Sequence, residues 1–190
     1  YAGYLAKKIG LPINKFIVAT NQNDILHRAI KNGSYNVDNV LETISPSMDI
    51  QIASNFERLI FDLNDHSDKK TIEVMKSIKE KGKYIIEKES LDKINVDFLS
   101  SRMDESEVLN TIKTVYEKFN KVLDPHSAIG YGAVDKVNLK GNNVVLATAH
   151  PCKFPSAIEK AINLKAELPN ELAFILDEEE NYDIIENNLF

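Results

Sequence analysis

Phe16-Ile17-Val18-Ala19-Thr20-Asn21-Gln22-Asn23-Asp24 is the stretch on which the fold turns. Its first five residues are a compact apolar run of buried-strand length, and its last four are polar. Upstream, Tyr1, Tyr4, Leu5 and Ile9 recur at helical spacing, and Gly10 supplies a stop. Downstream, Ile25, Leu26, Ala29 and Ile30 repeat the helical pattern and Gly33 closes it. Helix, strand, helix in that order is the alternation of an α/β protein with a parallel sheet.

From Ala53 to about Asn120 the pattern changes to amphipathic helices, through Phe56, Leu59, Ile60 and Leu63, then Ile72, Met75 and Ile78, then Val108, Ile112, Val115 and Phe119. Tyr84-Ile85-Ile86 interrupts as a short strand candidate. The α/β character resumes where Asp124-Pro125-His126 opens a small-residue helix. Val144-Val145-Leu146-Ala147-Thr148-Ala149 then gives the strongest strand signal in the chain, with a helix through Phe154, Ala157, Ile158 and Ala161 behind it. We expect 1–52 and 121–166 to be the sheet portion, 53–120 a mostly helical insertion, and 167–190 a helical tail with an acidic surface run at Asp177-Glu178-Glu179-Glu180. Val18 and Val145 should both be buried in strands.

Composition narrows the function classes. The chain of 190 residues is 43% hydrophobic, enough for a sizeable core and too apolar for disorder. Its net charge of −6, with no basic stripe, argues against a nucleic-acid partner. Cys152 is the one cysteine, which excludes an internal disulfide and fits a reducing, cytoplasmic setting. No apolar run reaches the ~20 residues that cross a bilayer. The chain opens on Tyr1 already inside a helical pattern, so we expect a portion of a longer protein.

In open parallel sheets, ligands collect beyond the carboxyl ends of strands. Two such ends are polar here, Thr20 to Asp24 and Thr148 to Lys153, and their side chains are candidates for one cleft. Asn21, Asn23 and Asp24 are cleft candidates; Asn23 or Asp24 equally suits a helix cap. His126 and His150 flank prolines at the polar junctions and are either cleft or structural residues. The histidines lack metal-site spacing, and neither a nucleophile elbow nor a phosphate-binding glycine loop is present. Residue spacing alone stops at an α/β domain with a polar cleft.

Six segments, in order, resemble threonine synthase. They are Tyr1-Ala2-Gly3-Tyr4-Leu5-Ala6-Lys7-Lys8, Ala19-Thr20-Asn21-Gln22-Asn23-Asp24, Ser45-Pro46-Ser47-Met48-Asp49-Ile50, Ser54-Asn55-Phe56-Glu57-Arg58, Asp124-Pro125-His126-Ser127-Ala128, and Thr148-Ala149-His150-Pro151-Cys152-Lys153-Phe154-Pro155. The resemblance implies the pyridoxal-phosphate fold shared with tryptophan synthase β. It also implies the conversion of O-phosphohomoserine and water to threonine and phosphate. By position, Thr148 is the hydroxyl that faces the cofactor's pyridine nitrogen. The same resemblance places the Schiff-base lysine and the cofactor-phosphate loop upstream of Tyr1, in a missing N-terminal part of the chain. Lys153 is therefore a cleft candidate and not that lysine, no catalytic residue is expected within these residues, and the piece alone should be inactive. Cys152, where relatives often carry alanine, is expected as a small buried hydrophobe. The competing readings are a threonine dehydratase-like lyase and a non-catalytic α/β binding module. The Thr-Ala-His-Pro and Ser-Pro-Ser-Met-Asp segments speak against the dehydratase.

Overall fold

The computed structural model describes residues 1–186, and the end of the expected tail, 187–190, lies outside the described residues. Helix α1 (Ala2–Lys8) leads into strand β1 (Phe16–Thr20), followed by α2 (Ile25–Asn32) and the short strand β2 (Ser34–Asn36). A loop then reaches α3 (Ser54–Leu63), α4 (Asp68–Lys81), β3 (Lys83–Ile85), α5 (Lys88–Asp97) and β4 (Phe98–Arg102). Three further helices complete the order: α6 (Glu105–Phe119), α7 (Pro125–Val137) and α8 (Pro155–Ile162).

β1 and β4 pair in parallel, with Phe16 opposite Phe98 and Thr20 opposite Arg102. Successive strand residues face opposite sides, and this divides the core. Phe16, Val18 and Phe98 join one apolar cluster, centred on Ile25, Ala29, Tyr35, Phe56, Ile60 and Ile94. Ala19 faces a second, built from Met103, Val108, Ile112, Ala128, Ile129 and Ile158. The pair is thus sandwiched, with α2 on β4 and α7 across both strands.

Helix ends follow local chemistry. Asp104 accepts the Glu107 backbone N–H at 2.9 Å while the Glu107 carboxylate accepts that of Asp104 at 2.9 Å, a reciprocal cap that starts α6. Asp124 caps α7, and Pro125 takes the first helical position, where its missing N–H costs nothing.

The structure corrects several expectations. The 53–120 region is mostly helix, yet β4 lies within it and is the partner of β1, so the sheet is not confined to the flanking stretches. The Phe98-Leu99-Ser100-Ser101-Arg102 run was not read as a strand because its serines dilute the apolar signal. Val18 is half-buried in its strand, but 144–149 forms no strand at all. Among the described residues no strand pairs with it. Val144 is 89% and Leu146 75% exposed, so an apolar run makes a strand only where a neighbouring ladder receives it. Residues 170–177 of the tail form a 3-10 helix, and 178–186 form no helix. No helix among the described residues is long and apolar enough to cross a membrane.

Candidate functional site

The polar end of β1 is built inward. Asn21 and Asn23 are each only 2% exposed, and both point their amides at the loop before α3. Asp49 is the hub of that loop: one carboxylate oxygen accepts from Asn21 at 2.7 Å, Asn23 at 3.0 Å and the Thr43 hydroxyl at 2.7 Å. Its other oxygen accepts the Thr43 backbone N–H at 2.9 Å. Asn21 also donates to the Ser45 hydroxyl at 2.9 Å, and Asn23 exchanges two hydrogen bonds with the Leu41 backbone, both 2.8 Å. With their polar atoms so engaged, Asn21 and Asn23 hold the loop.

Asp24 occupies the cap position of α2, but its side chain makes no capping bond. It pairs with Arg28 at 2.8 Å and Arg102 at 3.5 Å, tying α2 to the end of β4. Asn23 does not cap α2 either, since the loop has claimed its side chain.

The second polar end is organised by Asp124, 1% exposed at the start of α7. One of its oxygens accepts the His126 backbone N–H at 2.9 Å, the Ser127 backbone N–H at 3.4 Å and His126 Nδ1 at 3.0 Å. The other oxygen accepts the Ser127 hydroxyl. His126 Nε2 in turn accepts the Ser47 backbone N–H at 3.3 Å, and its ring packs on Phe154 at 4.8 Å between centroids. A ring nitrogen that accepts carries no proton, so it is Nδ1 of His126 that donates to Asp124.

Ser127 connects this network to Thr148. Its hydroxyl oxygen accepts the Thr148 backbone N–H at 3.1 Å and lies 3.5 Å from the Thr148 hydroxyl. One helical turn on, Gly130 lets Val145 approach; a Cβ there would stand 3.1 Å from Val145 Cγ1. Residues 145–148 therefore run along α7, with Thr148 exposed at the helix's first turn.

The two polar ends meet indirectly, through the Ser45-Pro46-Ser47 turn. Asn21 binds Ser45 on one side, and His126 binds Ser47 on the other. Hydrogen bonds and the turn's backbone thus connect Asn21 to Thr148. His150 is exposed and accepts the Cys152 backbone N–H at 3.3 Å, with the Cys152 sulfur 2.9 Å from the same nitrogen. Cys152 is half-buried and in contact with an imidazole, so it is not the buried hydrophobe expected. Lys153 is exposed. Thr43, Asp49 and Ser127 carry no local sequence pattern that marks them as site residues. Asp124 carried a readable signal, an aspartate directly before proline at a helix start.

Among the described residues, no group of three His, Cys, Asp or Glu side chains is placed to hold a metal ion. What remains chemically available is the Thr148 hydroxyl, exposed and fixed through its backbone. A hydroxyl of this kind fits a ligand's ring nitrogen and lacks the charge to protonate it.

A family model for the C-terminal part of threonine synthase matches residues 127–189. The chain is 41% identical to threonine synthase of Pseudomonas aeruginosa over 100% of its own length and 41% of that protein's. It is 40% identical to threonine synthase of Saccharomyces cerevisiae over 85% of its length and 35% of that protein's. A solved structure of PLP-bound threonine synthase from Brucella melitensis overlays 98% of the chain with a TM-score of 0.92 at 40% identity, covering 40% of the solved chain. The chain thus spans less than half the length of the relatives it matches. In sequence and in fold, it corresponds to the C-terminal portion of a protein of the threonine synthase family.

Proposed function

We propose that this chain serves, within a longer protein, in a threonine synthase that converts O-phosphohomoserine and water to threonine and phosphate with pyridoxal phosphate. The observation that carries the proposal is the overlay on a PLP-bound threonine synthase across 98% of the chain at 40% identity. Pyridoxal phosphate, when bound, supplies an electron sink for chemistry at the amino-acid substrate.

Thr148 is the residue of this chain that holds the ring nitrogen. Its hydroxyl donates one neutral hydrogen bond, a partner too weak to stabilise a protonated ring. This tempers the electron withdrawal and suits elimination and replacement at the β and γ carbons over transamination. Asn21, Asn23 and Asp49 act one step removed, by fixing the 41–49 loop whose Ser47 meets His126. His150 and Lys153, exposed just beyond Thr148, remain candidates for the substrate side of the cleft.

The test is turnover by the full-length protein. With pyridoxal phosphate and O-phosphohomoserine it should release phosphate and threonine in equal amounts. Release of ammonia and a keto acid from threonine, with O-phosphohomoserine untouched, would instead establish the dehydratase-like reading.

A further inference from the structure

We propose that Asp124 and Ser127 are positioning residues that fix the Thr148 backbone, and with it the exposed Thr148 hydroxyl, at the first turn of α7. The argument rests on proton counting. An ionised carboxylate only accepts, so the single hydroxyl proton of Ser127 is committed to Asp124. The Ser127 oxygen then offers Thr148 lone pairs alone, and one of them takes the Thr148 backbone N–H at 3.1 Å. Ser127 has no proton left for the Thr148 hydroxyl, whose 3.5 Å separation is at the limit of a hydrogen bond. The bond that holds Thr148 in place is therefore the one from its backbone N–H, and so long a contact to its hydroxyl leaves that group able to turn toward a ligand on the exposed side.

Asp124 holds this polarity because its contact with His126 also has a fixed direction, with Nδ1 donating. Were His126 protonated at Nε2, it could not accept from Ser47, and the 45–47 turn would lose its contact with α7. The direction of every hydrogen bond from Ser47 to Thr148 is therefore set by two facts: a backbone N–H can only donate, and a carboxylate can only accept.

The inference rests on the reading that Thr148 faces the cofactor ring, and the experiment keeps the two separable. Ser127→Ala, Thr148→Val and the double variant of the full-length protein are compared with wild type. Three quantities are read: pyridoxal-phosphate affinity, the absorption spectrum of the bound cofactor across pH, and the melting temperature without cofactor. Ser127→Ala leaves the Asp124 cap on its backbone amides, so the variant keeps its helix start. It should weaken cofactor binding about fivefold to tenfold, the worth of one hydrogen bond. Its spectrum should move in the same direction as that of Thr148→Val, and the double variant should match Thr148→Val alone, as groups acting in series do. A Ser127→Ala protein that melts lower but keeps wild-type affinity and spectrum would overturn the positioning role, as would strictly additive effects. Should Thr148→Val itself leave affinity and spectrum unchanged, Thr148 is not at the ring, and both readings fall together.

Discussion

The side-chain amide of Asn21 donates to the carboxylate of Asp49 at 2.7 Å, joining the end of β1 to a loop 28 residues further along the chain. Around it, Asn23 and Thr43 donate to the same oxygen, so one carboxylate satisfies three side chains. Burial of so many polar atoms is tolerable only because each finds a partner.

Asp49→Ala should therefore be among the costlier single changes in the chain. It strips partners from two nearly buried amides and from the Thr43 hydroxyl, each left to bear part of its desolvation penalty. A loss of about 2–4 kcal/mol is expected, read by denaturant unfolding. A loss below about 1 kcal/mol would mean that water enters and replaces the carboxylate.

Acid sensitivity should trace in part to His27. Burial, and next the nearby Lys31, push its pKa below the usual 6.5, and Nδ1 meets the Ser100 hydroxyl at 2.9 Å. In the window between the folded value and 6.5 the unfolded chain binds the extra proton. Stability is thus unaffected by this group above pH 6.5, falls as pH drops through that window, and levels off below the folded value. His27→Gln should flatten the slope of stability between about pH 7 and about pH 5, whatever it does to the absolute level. An unchanged slope would assign the acid sensitivity to other groups.

How far the sequence could be read depends on where each element gets its stability. β1 and the helices around Ile25, Ile60 and Ile112 were legible because their own apolar spacing defines a buried face. β4 was not, because Ser100 and Ser101 are strand residues only by virtue of pairing with Val18 and Ala19. The run at Val144 failed in the opposite sense: its composition is that of a strand, but no described strand lies beside it. At the site, Thr148 was named by resemblance, yet no local pattern marks its anchor Ser127, whose contact with Thr148 comes from the three-dimensional approach of α7. Asn21 and Asn23 were singled out as cleft residues for their polarity. Their partners within the chain, Thr43, Ser45 and Asp49, sit more than 20 residues away in sequence, where local pattern carries no information.

The chain on its own should release no phosphate from O-phosphohomoserine above the rate of free pyridoxal phosphate. The resemblance places the lysine that binds the cofactor covalently outside these residues, and no neighbouring group efficiently replaces a covalent partner. Sustained phosphate release with threonine formation by the purified 190-residue chain would overturn this.

Two glycines separate backbone strain from crowding. Gly33 follows α2 at φ +75°, and Gly82 follows α4 at φ +65°, both in the left-handed region that an added Cβ disfavours. Their surroundings differ. A Cβ on Gly82 would find only Val37 Cβ at 4.0 Å, an open position. A Cβ on Gly33 would stand 3.0 Å from the Ile86 carbonyl oxygen, and that backbone cannot swing aside, since the Ile86 N–H donates to the Gly33 carbonyl at 2.8 Å. Gly82→Ala should cost about 1 kcal/mol, the left-handed penalty alone. Gly33→Ala should cost that and about 1–3 kcal/mol more, the usual range for forcing atoms into a filled site. Parallel urea titrations of the two variants measure the difference directly. Equal losses would show that the Ile86 segment moves freely, and that the contact between the end of α2 and the residue after β3 contributes nothing to stability.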